Sequence, residues 1–193
     1  MQTHQLSTGQ HAPKRSVDTN VLLYEIFGNP PTNPRANQAL GRLNYIHSLY
    51  RKSGKILDDD MLYTLSLFAW EPIKWMKRYE WRELTPLETC AIGTFVKSMG
   101  DAMEISYDVL PSSKTGWQDG LHWLSELGDW TENYEKRIMV PHDDNHATAE
   151  CTTALLVSVL PKPLHTMARS LVISIMDERL RKAMMYAYSL GSI

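Results

Sequence analysis

Apolar and polar residues follow a helical period along nearly all of the 193-residue chain. Between Arg35 and Lys52, Leu40, Leu43, His47 and Tyr50 recur at spacings of three and four, so they share one helix face. Leu62, Leu65, Phe68, Ile73 and Met76 repeat the pattern downstream. Trp123, Leu127, Trp130 and Tyr134 form a third stripe. No stretch alternates with the period of two that a half-buried strand requires. The expected fold is therefore all-α: one domain of about seven helices over residues 14–193, preceded by a polar leader at 1–13 expected to be flexible.

The breaks between stripes set the expected boundaries. A first helix is predicted over Ser16–Phe27, with Val17, Leu22, Leu23 and Ile26 facing inward, and "GNPPTNP" stops it. The helix over Arg35–Lys52 ends at "KSGK", with Gly54 just beyond it. Asp58, Asp59 and Asp60 open the next helix, where carboxylates suit the positive end of the helix dipole. Pro72 is expected to kink that helix near Phe68. Thr85, Pro86 and Glu88 have the order of a capping box, and this helix should run to about Met103. A loop at 110–116 precedes a helix over Trp117–Ile138. Further helices are expected over His146–Leu160, 164–175 and 177–187.

Composition narrows the function classes. The chain is 43% hydrophobic and 22% charged, as ordinary globular domains are. A net charge of -2 with dispersed Lys and Arg gives no cationic surface for nucleic acid. There is no secretory h-region and no apolar run near the ~18 residues of a membrane span, so the chain as given is expected to be soluble and intracellular. Two cysteines, Cys90 and Cys151, are too few for a disulfide framework and read as reduced thiols.

Few residues carry obvious chemistry. There is no Gly-rich phosphate loop, nucleophile elbow or zinc ribbon. In "HDDNH", His142 and His146 have the spacing of a metal pair, but a helix cap from Asp143, Asp144 or Asn145 explains the stretch more simply. "MDERLRK" has the charge spacing of a solvated helix face. The six tryptophans fit a core as well as an apolar cavity. His47 lies on the inward face of its helix. On the residues alone it fits a hydrogen-bonded core histidine, a general base, or a ligand for a metal or haem iron.

The stretch "RLNYIHSLYRKSGKILDDDMLYTLSLFAWEPIKWMKRYEWRELTPLETCAIGTFVKSMGDAMEI" resembles the fungal MpaB-type ER-bound oxygenases, which share a catalytic domain with bacterial rubber oxygenase, the latex-clearing protein. The likeness continues through "GWQDGLHWLSELGDWTENYEKRIMVP" and "SIMDERLRKAMMY", so it covers about residues 14–186. It implies a globin-like helical arrangement around haem b, with His47, downstream of Arg42, as axial ligand of the iron. It also implies a distal set in "RSVDT": Arg15, Asp18 and Thr19, with Ser16 where an aromatic often follows the arginine. The implied reaction is oxidative cleavage of a carbon–carbon double bond in an isoprenoid chain, with dioxygen and an apolar prenylated secondary metabolite as partners. Longer relatives carry an N-terminal hydrophobic anchor and are bound to the ER membrane, so the chain is expected to be shortened at both ends. Two other readings stay open: a haem-free cyclase or isomerase reusing the helical cavity, and an inactive remnant of the parent design.

Overall fold

A computed structural model describes residues 12–187. Among the described residues there are eight α-helices, one short 3-10 turn and no strand. The helices are α1 (Ala12–Phe27), α2 (Pro34–Lys52), α3 (Asp58–Tyr79), α4 (Pro86–Ala102), α5 (Gly120–Ile138), α6 (Asp143–Val157), α7 (His165–Ile175) and α8 (Glu178–Ala183), with the 3-10 turn at Lys162–Leu164. The leader expected over 1–13 lies outside the described residues, except for Ala12 and Pro13, which belong to α1. The described residues form two compact units. One is Pro30–Lys136; the other joins the segment ending at Asn29 to the one starting at Arg137.

In the unit Pro30–Lys136, local signals set most of the helix ends. Asn33 caps α2, its Oδ1 accepting the Arg35 N–H at 2.9 Å, and Pro34 takes the first helical position. At the other end Gly54 has φ +66°, and the N–H groups of Gly54 and Lys55 bond back to the carbonyls of Arg51 and Tyr50, each at 2.9 Å. The Asp60 carboxylate accepts the Leu57 N–H at 3.1 Å in front of α3, which runs through Pro72 to Tyr79. The predicted box of α4 is present: Thr85 Oγ1 accepts the Glu88 N–H at 3.3 Å, and Glu88 accepts the Thr85 N–H at 2.8 Å. Arg82 forks onto the same carboxylate at 2.8 Å to each oxygen. Its bonds, with those from Thr85, hold the Glu88 carboxyl down at about 2.

Helix α5 starts at Gly120, three residues later than the periodicity predicts. Asp119 is the residue that caps it, its Oδ1 accepting the His122 N–H at 2.8 Å, so Trp117 and Gln118 stay in the preceding loop.

The core of this unit joins Leu62 and Leu65 of α3, Val96 of α4, Leu110 of the loop, and Trp123, Leu124 and Leu127 of α5, all almost fully buried. Tyr107 meets the Trp117 and Trp123 rings edge-on, with centroids 5.7 and 5.9 Å away. Helices α4 and α5 meet backbone to backbone. A Cβ on Gly93 would lie 2.5 Å from the Gly120 carbonyl oxygen, and one on Gly120 would lie 2.4 Å from that of Cys90. We therefore expect Gly93→Ala to destabilise the protein by about 1–3 kcal/mol, despite alanine's higher helix propensity. A lower urea midpoint at unchanged slope is the readout.

In the other unit, α1 packs on α6, and α6 on α7. The inward row of α1 is Ala12, Arg15, Thr19, Leu22 and Ile26, a three–four repeat of buried and half-buried positions. Val17, expected inward, is 60% exposed because it falls outside that row. Helix α6 starts three residues before the predicted His146. Its cap is His142, whose Nδ1 accepts the Asp144 N–H at 3.1 Å, and not one of the three Asp and Asn residues expected there. Helix α8 is capped by Asp177, which accepts the Leu180 N–H at 2.8 Å. It stops at Ala183, four residues short of the expected end, and Met185 beyond it has φ 57°.

Candidate functional site

The inward row of α2 is where the sequence places its candidate ligand. Ala36 and Ala39 are buried, and Leu40, Leu43, Asn44, His47 and Tyr50 are half-buried. The row becomes polar in its second half. Asn44 Nδ2 donates to the Ala102 carbonyl at 2.8 Å, and Arg51 donates to the Glu104 carbonyl at 3.3 Å and to Asp58 at 2.8 Å. Those bonds use two carbonyls at the C-terminal end of α4 and its exit, where helices leave acceptors unused. They tie the segment carrying His47 to both α3 and α4. His47 Nδ1 is buried.

Among the described residues, no three His, Cys, Asp or Glu side chains come together as a metal site. His142 and His146 are not a pair of ligands. His142 is spent as the helix cap, and His146 Nδ1 donates to the Met184 carbonyl at 2.8 Å.

The distal candidates all lie on α1, in the other unit. Arg15 and Thr19, four residues apart, both fall on the inward row and are half-buried. Asp18 is on the outer face, where Lys14 pairs with it at 2.6 Å. Cys90 and Cys151 are free thiols, half-buried and in different units.

Two polar centres escaped sequence reasoning. In the first, the Glu126 carboxylate collects four donors: Ser112 N–H at 3.0 Å, Ser112 Oγ–H at 2.6 Å, Trp117 Nε1–H at 2.8 Å and His122 Nε2 at 3.2 Å. Burial pushes its carboxyl up, but the bonds from Ser112 and Trp117 outweigh burial and set it at about 2. This serine–histidine–glutamate trio is not a nucleophile. Gln118 N–H donates to His122 Nδ1 at 3.3 Å, which puts the ring proton on Nε2, facing Glu126, and the serine hydroxyl donates directly to the carboxylate. The trio is a brace that closes the loop 106–119 onto α5. Only the His122–Glu126 spacing of four hinted at it.

In the second, Arg169 of α7 pairs with Glu150 of α6 and lies over the Tyr186 ring, 5.6 Å from its centroid. Tyr186 Oη is 3.3 Å from Thr153 Oγ1, and its ring meets His146 edge-on at 5.6 Å. The bond from Arg169 lowers the Glu150 carboxyl. This cluster fastens α7 and the chain beyond α8 to α6, and no sequence spacing announces it.

The ER-bound oxygenase mpaB of Penicillium roqueforti (strain FM164) is 48% identical over 186 residues, which cover 96% of this chain and 62% of that protein. The ER-bound oxygenase mpaB' of Penicillium brevicompactum is 48% identical over 184 residues, 95% of this chain and 44% of the relative. The chain belongs to the mpaB family of ER-bound oxygenases. A further mpaB, from Penicillium brevicompactum, matches at 48% over 156 residues, 81% of this chain and 40% of the relative. The chain thus spans about six-tenths of one mpaB relative and less than half of the other two. No protein-family profile matches it. No solved structure matches it either. Among the described residues, no helix is long and apolar enough to cross a membrane.

Proposed function

We propose that this member of the mpaB family is the helical core of a haem-dependent oxygenase that cleaves a carbon–carbon double bond in the isoprenoid chain of a fungal-type secondary metabolite. His47 would hold the haem iron, and the helices would enclose the haem in a globin-like arrangement. The observation that carries this reading is the donor set of α2: one imidazole on an inward helix face, with no cluster of three ligating side chains among the described residues. A bare zinc or non-haem iron needs three or four protein ligands. A haem brings four nitrogens of its own and asks the protein for an axial histidine. A single inward histidine, with no cluster of three ligating side chains among the described residues, supports haem b over a protein-only metal centre.

When bound, haem b supplies the iron chemistry that activates dioxygen and delivers one oxygen atom to each alkene carbon, giving two carbonyl products. The chain supplies position and polarity. His47 would hold the iron from α2, whose bonds to the end of α4 fix the helix that carries the imidazole. Arg15 and Thr19 offer an N–H cation and a hydroxyl from the inward row of α1, as donors towards developing negative charge. Asp18 completes the motif by spacing, and its ion pair with Lys14 has to open before its carboxylate can act. Association with the ER membrane, carried in the relatives' names, belongs to this proposal as well.

The test is turnover of a prenylated aromatic substrate by the haem-loaded chain under labelled dioxygen, with both carbonyl products analysed by mass spectrometry. Label in each product is expected. For Arg15→Ala we expect unchanged haem content and turnover slower by about 100–1000-fold, the range for loss of one preorganised donor. Unchanged turnover in that variant removes Arg15 from the distal set.

A further inference from the structure

We propose that the turn between α3 and α4 is a membrane-docking surface, where Trp75, Tyr79 and Trp81 insert into the headgroup–acyl boundary of a zwitterionic phospholipid bilayer. The inference rests on the membrane association proposed above and assigns it to particular residues of this chain.

All six tryptophans lie among the described residues. Trp70, Trp117, Trp123 and Trp130 are buried or half-buried. Trp75 and Trp81 are 44% and 88% exposed, the first near the end of α3 and the second in the turn that follows. Tyr79 is exposed one helical turn beyond Trp75, with the two ring centroids 4.8 Å apart. Leu87, in the first turn of α4, is exposed as well. The backbone that carries these side chains is ordered. The Glu80 N–H closes α3 on the Met76 carbonyl at 3.1 Å, Lys77 pairs with Glu83 across the turn at 3.6 Å, and Arg82 is held by Glu88 of the α4 box at 2.8 Å. Little conformational freedom is therefore left to lose on docking.

The chemistry of the patch selects the partner. Tryptophan and tyrosine favour the membrane interface, where the ring meets acyl chains and its N–H or O–H stays wet. Protein hot spots use the same rings, and the membrane association proposed above decides between the two. Charge then selects the lipid. Residues 71–88 hold four Lys and Arg and four Glu, so the patch carries no net charge. A polybasic segment would select anionic lipid; a neutral one does not. Arg78 and Arg82 lie against the Tyr79 and Trp81 rings, their guanidinium carbons 5.7 and 5.6 Å from the centroids. Rings and cations thus sit at one level, as the acyl boundary and the headgroup phosphates of a zwitterionic lipid do.

Flotation of the 193-residue chain with phosphatidylcholine vesicles tests the surface. We expect the protein to float with them at low and raised salt alike, because there is no net charge to screen. Trp81→Ser should weaken partition by about tenfold, and the triple variant Trp75→Ser/Tyr79→Ser/Trp81→Ser by about 100-fold or more. Phosphatidylcholine brominated on its acyl chains should quench part of the tryptophan fluorescence, and that part should vanish in Trp75→Phe/Trp81→Phe. Circular dichroism and haem uptake should match the wild type throughout, since all three rings are exposed. Undiminished partition of the triple variant overturns this surface and leaves the membrane association standing, whereas a wild type that stays in solution overturns both. Binding that needs phosphatidylserine, or that salt abolishes, overturns the zwitterionic docking. So does a wild type that ignores vesicles and self-associates through these rings. Should the triple variant fail to fold, unchanged partition of Trp81→Ser overturns the surface equally. A protein that floats through these rings and takes up no haem upholds the surface and sinks the haem reading instead.

Discussion

His47→Ala, expressed with haem supply, is expected to yield a folded protein that has lost most of its haem and whose remaining Soret band is displaced. Substitutions in the outer shell of metal sites already weaken binding by about 10–100-fold, and removal of the axial ligand costs more than that. The fold should tolerate the change. His47 is only half-buried, and the helix around it is held by the Asn33 cap, the turn at Gly54 and the bonds of Asn44 and Arg51, none of which involve the imidazole. Far-ultraviolet circular dichroism should therefore match the wild type, and stability should move by about 2 kcal/mol at most. Exogenous imidazole should restore the spectrum in part, because it can occupy the space vacated at the iron. A variant that keeps a wild-type spectrum places the axial ligand elsewhere.

The second large effect concerns the brace. Glu126→Gln removes the charge that four donors converge on, and its amide offers one acceptor where the carboxylate offered two. Ser112, Trp117 and His122 cannot all be satisfied, and the loop 106–119 should loosen from α5. A loss of about 2–4 kcal/mol is expected, the size of a broken network of charge-assisted bonds. The same carboxylate gives a pH signature. Its folded value of about 2 lies below the ordinary 4.5, so the folded state releases this proton more readily than the unfolded state does. Its contribution is complete above about pH 4.5 and is lost as pH falls towards 2. Denaturation midpoints followed between pH 6 and 2.5 should converge for wild type and Glu126→Gln as acid is added. Parallel curves would mean that Glu126 is not held ionised by its partners.

Much of the helical layout was legible because its signals are local. The box of Thr85 and Glu88 and the glycine at 54 act within a few residues, so each could be read directly. The misses have non-local or unusual causes. Helix α5 starts late because Asp119 caps it while Trp117 is committed to Glu126, nine residues on. Helix α6 starts early because a histidine does the work expected of an aspartate or asparagine. The row of α1 includes the polar Arg15 and Thr19 beside Leu22 and Ile26, and hydrophobic periodicity does not register polar members of a row. Asn44 was the least legible. Its bond to Ala102 spans 58 positions, and no periodicity reports it. His47 itself was visible as an inward residue, but choosing among core, base and ligand took the likeness to a family.

The central claim is that this chain holds one haem through α2. The wild-type protein, purified after expression with haem supply, tests it through its visible spectrum and a pyridine haemochrome assay set against protein concentration. The account predicts a Soret band and one haem b per chain. A well-folded, colourless protein that also fails to take up added haem would contradict it.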